Sequence, residues 1–159
     1  MPIDVFLSRP TIIEKRFETP YVAFDSYLSR TGYKTHRIGG DQFTMDSPLT
    51  AVMKLMNTCQ AAIILGYPQF KVKAALSKAA KPQQQILAVF PTPWNHIEAT
   101  LAFKQHIPVL VVAHNGVSGG IFDYGVTGEY VHVAKLSQLN WHKKKSFRGI
   151  LKEWKKMIK

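Results

Sequence analysis

The sequence predicts an α/β fold: an open parallel sheet with helices on both faces, followed by a C-terminal amphipathic helix. Three observations carry this. Short runs of strand formers alternate with longer helical segments, in the order strand, helix, strand, helix, strand, helix, strand. Two of the runs, AAIIL at Ala61–Leu65 and PVLVVA at Pro108–Ala113, are continuously apolar, as strands covered on both faces are. Near the end of the chain, apolar residues recur at spacings of three and four.

The first strand is Ile3–Ser8 (IDVFLS), closed by the loop opening Ser8-Arg9-Pro10. Residues 20–31 read as a helix with Val22, Phe24, Tyr27 and Leu28 on its apolar face, and Gly32 stops it. Tyr33–Ile38 is a short second strand before Gly39-Gly40. Asp46-Ser47-Pro48 pairs an N-cap residue with a first-turn proline, and Leu49, Val52, Met53 and Met56 form the stripe of the helix that follows. Ala61–Leu65 is the third strand. Residues 67–85 are basic and rich in Ala and Gln, without a clear period, and Ile86–Phe90 reads as a strand or an excursion. Pro91-Thr92-Pro93-Trp94 opens a helix reaching about Gln105, with an expected stripe of Trp94, Ile97, Leu101 and Ala102. Pro108–Ala113 is the next strand, His114–Gly120 a loop, and Gly125–Gly128 brackets a turn.

A chain of 159 residues, 46% hydrophobic and 19% charged, fits one domain with a sizeable core and is not a disordered composition. The division expected is an α/β domain over residues 1–140, closed by a basic helix over 141–159. No run approaches the length of a membrane span, and MPIDVFLSRP lacks the features of a secretory signal, so a cytoplasmic chain is expected. The single Cys59 excludes an internal disulfide and a Cys-based metal cluster. The net charge of +11 divides unevenly: residues 1–140 carry +4 and residues 141–159 carry +7. Within the latter, Phe147, Ile150, Leu151, Trp154 and Ile158 form an apolar stripe opposite the lysines. Such a helix can dock on the domain with Lys in water, lie on nucleic acid or acidic lipid, or dock on a partner helix.

Open parallel sheets bind ligands outside the carboxyl ends of their strands, at a topological switch point. In this chain that edge comprises Ser8-Arg9-Pro10, Gly39–Asp46, Gly66-Tyr67, Pro91–Asn95 and His114–Gly120. Glu98 is the only carboxylate between Asp46 and Asp123, one turn into the helix that starts at this edge. It lies four residues after Trp94, on the same face. A Glu there either responds to the helix dipole or serves a site, because an inward carboxylate is costly unless paired or used. A lone Glu can stabilise or attack a sugar carbon whose leaving group is good, as nicotinamide or a protonated base is. Arg9 offers bidentate phosphate or carboxylate recognition, or simply faces solvent. Asp46 reads as an N-cap or a ribose ligand, Asn95 as a cap or a ligand, and Tyr67 or Trp94 as a stacking platform. His96, His106 and His114 lack metal-ligand spacing, so no metal site is predicted, and GVSGG matches neither a Walker loop nor a dinucleotide fingerprint.

The opening strand IDVFLSRP resembles the start of Toll/interleukin-1 receptor (TIR) domains. The segment Thr92-Pro93-Trp94-Asn95-His96-Ile97-Glu98, then an Ala-containing helix and PVLVV, is similar to the TIR pattern S-P-W-x-x-x-E followed by A…gkPVIPV. The layout also resembles nucleoside 2-deoxyribosyltransferases. The likeness runs in order over residues 3–113. The link at residues 67–90 is longer than in those families, and the chain after Val126 lies outside it. The resemblance implies a flavodoxin-like sheet and cleavage or transfer at the N-glycosidic bond of NAD or a nucleoside or nucleotide. It places the essential carboxylate at Glu98, ring packing at Trp94 and first-loop contacts at Ser8 and Arg9. Asp46, Gly66, Tyr67 and Asn95 complete the expected substrate site. NAD would be a substrate, and no cofactor is expected. The resemblance further implies self-association, since related sites are often completed by a neighbouring subunit. Many such domains are non-catalytic sensing or assembly modules, which leaves that reading open. Nucleic-acid binding through the basic tail is a third.

Overall fold

The computed structural model describes residues 1–39, 44–73 and 88–159. Five parallel strands form the main sheet: β1 (Ile3–Ser8), β2 (Tyr33–His36), β3 (Ala61–Gly66), β6 (Val109–His114) and β7 (Val131–Ala134). Their spatial order is β2-β1-β3-β6-β7. Counted within this sheet alone, that is the 2-1-3-4-5 order of flavodoxin-like folds, with the switch point between β1 and β3. β4 (Phe70–Val72) and β5 (Ala88–Phe90) pair antiparallel as a separate ribbon. Residues 88–90 are therefore the return of an excursion, and residues 74–87 lie outside the described residues.

Alternation along the central strands divides the core in two. Val5 and Leu7 of β1, Ala61, Ile63 and Leu65 of β3, and Leu110 and Val112 of β6 face α1 (Lys15–Arg30) and α4 (Lys145–Met157). Phe6, Ala62, Ile64, Val109, Val111 and Ala113 face the other way, towards α2 (Pro48–Met56) and α3 (Pro93–Lys104).

Several expected boundaries and faces shift. α1 begins five residues before Pro20. A proline this close to the helix start removes only one early hydrogen bond, and Phe17 buried in the preceding turn offsets it. Its buried face is Phe17, Tyr21, Phe24 and Leu28, whereas Val22 is exposed. In α2 the buried set is Ala51, Val52, Leu55 and Met56, with Leu49 and Met53 outward. β7 was not anticipated; it is a four-residue edge strand with Val133 exposed. α4 turns Phe147, Leu151 and Trp154 into the core, with Ile150 and Ile158 packed against it. Its apolar stripe is thus used within the fold. No helix among the described residues is long and apolar enough to cross a membrane.

Beneath α4 lies an aromatic cluster. The Trp141 ring lies tilted against Phe24 at 4.7 Å and meets Phe147 edge-on at 4.9 Å. His142, fully buried, sits 5.1 Å from the Tyr27 ring. Neither of its ring nitrogens has a hydrogen-bond partner among the described residues. Burial, with help from Lys143 and Arg30, holds its pKa below the ordinary value, and burial does the same at His114 and His132. The unfolded chain therefore protonates first as pH falls, so the stability these residues contribute is present above about pH 6.5 and lost below it. His142→Phe is expected to flatten the fall in melting temperature between pH 7 and 5 relative to the parent chain. A parallel fall in both proteins would contradict this.

Gly66 ends β3 beneath the ring of Phe122, whose nearest carbon would lie 2.4 Å from an added Cβ. Gly66→Ala is expected to destabilise the chain by about 1–3 kcal/mol through overpacking, as read by urea denaturation. Phe122→Leu in the same chain should recover part of the loss.

Candidate functional site

The alternation that buries Phe6 among α2 and α3 sends Ser8, two residues on, to the same face of the sheet. Ser8 is the last residue of β1 and is 1% exposed. Facing it is the first turn of α3. Thr92 caps this helix, its hydroxyl accepting from the Asn95 backbone N–H at 3.3 Å, and Pro93 sits at the first helical position. Because Thr92 provides the cap, the Asn95 side chain is free to turn inward. Asn95, Glu98, Ala99 and Ala102 then follow one face at spacings of three, one and three.

This face replaces the expected stripe. Asn95, Ala99 and Ala102 are buried, whereas Trp94 and Ile97 are about 40% exposed (41% and 40%). The small side chains at 99 and 102 bring α3 close to the sheet, and the polar pair at 95 and 98 meets the end of β1. A chain of donors results. The Thr92 hydroxyl donates to Asn95 Oδ1 at 3.2 Å. Asn95 Nδ2 donates to Ser8 Oγ at 2.8 Å, and also approaches the Leu65 carbonyl at 3.4 Å. The Ser8 hydroxyl donates to Glu98 Oε2.

Burial pushes the Glu98 carboxyl up to about 7, against the opposing pull of the Ser8 hydroxyl. That shift corresponds to roughly 3 kcal/mol disfavouring the charged form, more than one hydroxyl donor returns. Glu98 lines a cleft of about 440 Å³ at the carboxyl edge, between β1 and α3. Arg9, Thr92 and Trp94 share the lining, together with Gln69, Ile38 and Val52. Arg9 places its guanidinium 4.2 Å from the Tyr21 ring centre and donates to the Pro10 carbonyl at 2.8 Å. The cleft thus combines one carboxyl group whose pKa burial raises, a stacked cation and an indole.

Of the residues expected at the site, Arg9, Trp94 and Glu98 line the cleft, and Ser8 and Asn95 stand behind Glu98. Gly66 and Tyr67 do not line it. Gly66 lies under Phe122, and Tyr67 is fully buried against Phe17, 5.1 Å ring to ring, so neither ring face is offered to a ligand. Asp46 is neither a cap nor part of the cleft. Ser47 caps α2, and the Asp46 carboxylate pairs with Lys54 at 2.9 Å and accepts from Thr44. Thr92 and Gln69 join the lining without having been singled out. The cap motif Thr92-Pro93 signals the first, whereas Gln69 arrives on the ribbon that no pattern marked. Among the described residues no group of three His, Cys, Asp or Glu side chains could hold a metal ion. Cys59 is buried and its thiol is pushed up to about 11, an unreactive setting.

No family profile matches the chain, and no curated protein matches it. Among solved structures, the TIR domains of the activated Roq1 resistosome directly recognizing the pathogen effector XopQ are similar to it, with a TM-score of 0.45 and 18% identity. The match covers 71% of this chain and 58% of that one, so the chain spans under two thirds of that structure's length. The flavodoxin-like assignment rests on the strand order itself.

Because the folded-state pKa of Glu98 is raised, the folded chain holds an extra proton between about pH 4.5 and 7. Stability falls as pH rises through that window and is level above it. Glu98→Gln, which keeps an acceptor for Ser8, is expected to raise the melting temperature by on the order of 5 °C at pH 8.5, with the gain vanishing near pH 4.5. A variant less stable than the parent at every pH would show Glu98 to be a structural partner.

Proposed function

We propose that the cleft takes a nucleoside or nucleotide, NAD included, and that Glu98 serves cleavage or transfer at its N-glycosidic bond. The observation that carries this reading is a carboxylate at the β1/β3 switch point, half-buried and lining a cleft with Arg9 and Trp94. The similarity of Thr92–Glu98 to the W-x-x-x-E pattern supports it.

In this mechanism the C1′–N bond breaks and its electron pair leaves with the base. Nicotinamide departs neutral, because its ring nitrogen begins cationic; a nucleoside base departs after protonation. The positive charge developing at the ribosyl carbon meets the Glu98 carboxylate, which stabilises it or closes on it as an ester. Water or an acceptor hydroxyl then adds at that carbon and gives up a proton. Ser8 and Asn95 act as positioning residues, fixing one carboxylate oxygen. Arg9 holds a phosphate and Trp94 packs on a ring.

The ionised carboxylate is the active form, so base release is expected to rise with pH through about 7 and level above it. Glu98→Gln should eliminate nicotinamide or base release, by at least about 100-fold, while retaining the fold. Chromatography of reactions with NAD and a nucleoside panel reads both. Unchanged release in the variant would remove Glu98 from the chemistry.

One observation favours a reading without turnover: the described cleft lining holds no second carboxylate and no histidine to act as acid or base. In that case the cleft is a nucleotide-sensing or assembly site. Thermal stabilisation by a nucleotide with no product formed would select it. Self-association, implied by the same resemblance, belongs to this proposal and is read on those samples by light scattering with and without nucleotide.

A further inference from the structure

A second concavity lies at the opposite edge of the sheet, beside the first residue of β2. It measures about 660 Å³ and lies between the end of α1 and the outer face of α4. Lys145, Arg148, Lys152 and Lys155 line one wall, with Tyr27 and Thr31 across from them. No carboxylate is in the lining.

The four cations lie at spacings of three, four and three, so they stand in one row along α4. Ten residues of helix extend the row over roughly 15 Å. None of the four is in a salt bridge among the described residues; the nearby Glu153 pairs instead with Lys156, outside the groove, at 2.8 Å. Two further features point to an anionic occupant. α4 begins at Lys145 with no side-chain cap and no acidic residue in its first turn, and Lys143, Lys144 and Lys145 crowd the positive end of its dipole. An unliganded surface gains nothing from that arrangement. Gly149 lies in the helix interior, between Arg148 and Lys152, and a Cβ there would touch nothing within 4 Å. Neither packing nor backbone geometry demands glycine, which weakens a helix, yet its absent side chain deepens the groove for close approach.

We infer that this groove binds the phosphate backbone of a nucleic-acid strand. A row of cations suits a chain of phosphates, whereas a single phosphate would call for convergent groups. A lipid surface fits less well. The apolar residues of α4 are turned into the core, which leaves no apolar face to enter a bilayer. The groove is separate from the Glu98 cleft, and the inference does not depend on the activity proposed there.

The test measures binding of the full chain to single-stranded RNA and DNA oligonucleotides, to inorganic polyphosphate and to phosphatidylserine vesicles. Four phosphate contacts predict a log–log salt slope near −3 for a single strand, hence about a 50-fold loss of affinity between about 50 and 200 mM salt. Arg148→Gln/Lys152→Gln should halve the slope, to about a 7-fold loss over the same range. Lys104→Gln/Lys135→Gln removes the same charge away from the groove and should leave the slope near −3. Melting curves of both variants check that they fold. Equal losses in the two variants would mean attraction by net charge alone and overturn the inference. Binding to polyphosphate or vesicles but to neither oligonucleotide, or to none of the four probes at low salt, would overturn it as well.

Discussion

The hydrogen bond from Ser8 to Glu98 ties the carboxyl end of β1 to the second turn of α3, 90 residues away in sequence. Most of the local architecture serves to make that meeting possible. β1 must end in register for Ser8 to share the face of Phe6. A slip of one residue would turn Ser8 towards α1 and leave the carboxylate without its donor. α3 must lie close to the sheet, which Ala99 and Ala102 permit against Ala62 and Ala113. Thr92 must supply the helix cap, so that Asn95 can turn inward and orient the Ser8 hydroxyl. The chain of donors ends at one oxygen of Glu98 and leaves the rest of the carboxyl group to the cleft.

The energetics of this arrangement run against stability. Burial raises Glu98 to about 7, and the donors behind it do not restore an ordinary carboxylate. A structural role would be served better by an apolar side chain or a full ion pair, and no cation bonds Glu98 among the described residues. Arg9 shares the cleft but is engaged by the Tyr21 ring and the Pro10 carbonyl. The two charged groups are thus held on separate supports, each with capacity left for a ligand. Such conflict between local stability and the residue chosen supports the role proposed for Glu98.

β3 and β6 were readable because both their faces are buried, which writes them as unbroken runs. Glu98 stood out because acid is scarce around it. The inward face of α3 was misread for a physical reason. Where a helix lines a site, polar residues turn in and large apolar ones edge the cleft, so Trp94 and Ile97 mimic a core stripe. Pro20 concealed the first turn of α1, since proline more often begins a helix than sits within its second turn. β7 carries only VHVA, with one residue exposed, and such an edge strand leaves almost no periodicity. Tyr67 looked like an edge residue by its position after β3, but Phe17 draws it into the core. Contacts of this kind, between elements far apart in sequence, have no local trace.

The charge that dominates the composition resolves into two fields at opposite edges of the sheet. At the carboxyl edge, Arg9 and Glu98 share the cleft with largely apolar and uncharged walls. At the amino edge, four cations stand in a row with Glu153 drawn aside by Lys156. α4 combines two roles: its apolar stripe closes the core beside β6, and its outer face carries the cations. Lysines at the start of α4 oppose the helix dipole, so the docking of Phe147, Leu151 and Trp154 must outweigh that repulsion. Burying three large side chains, at about 1.5–3 kcal/mol each, exceeds the several tenths to about 1 kcal/mol of each unfavourable terminal charge. The hydrophobic face therefore fixes where the helix lies, and the polar face is free to carry a charge pattern that folding alone would not select.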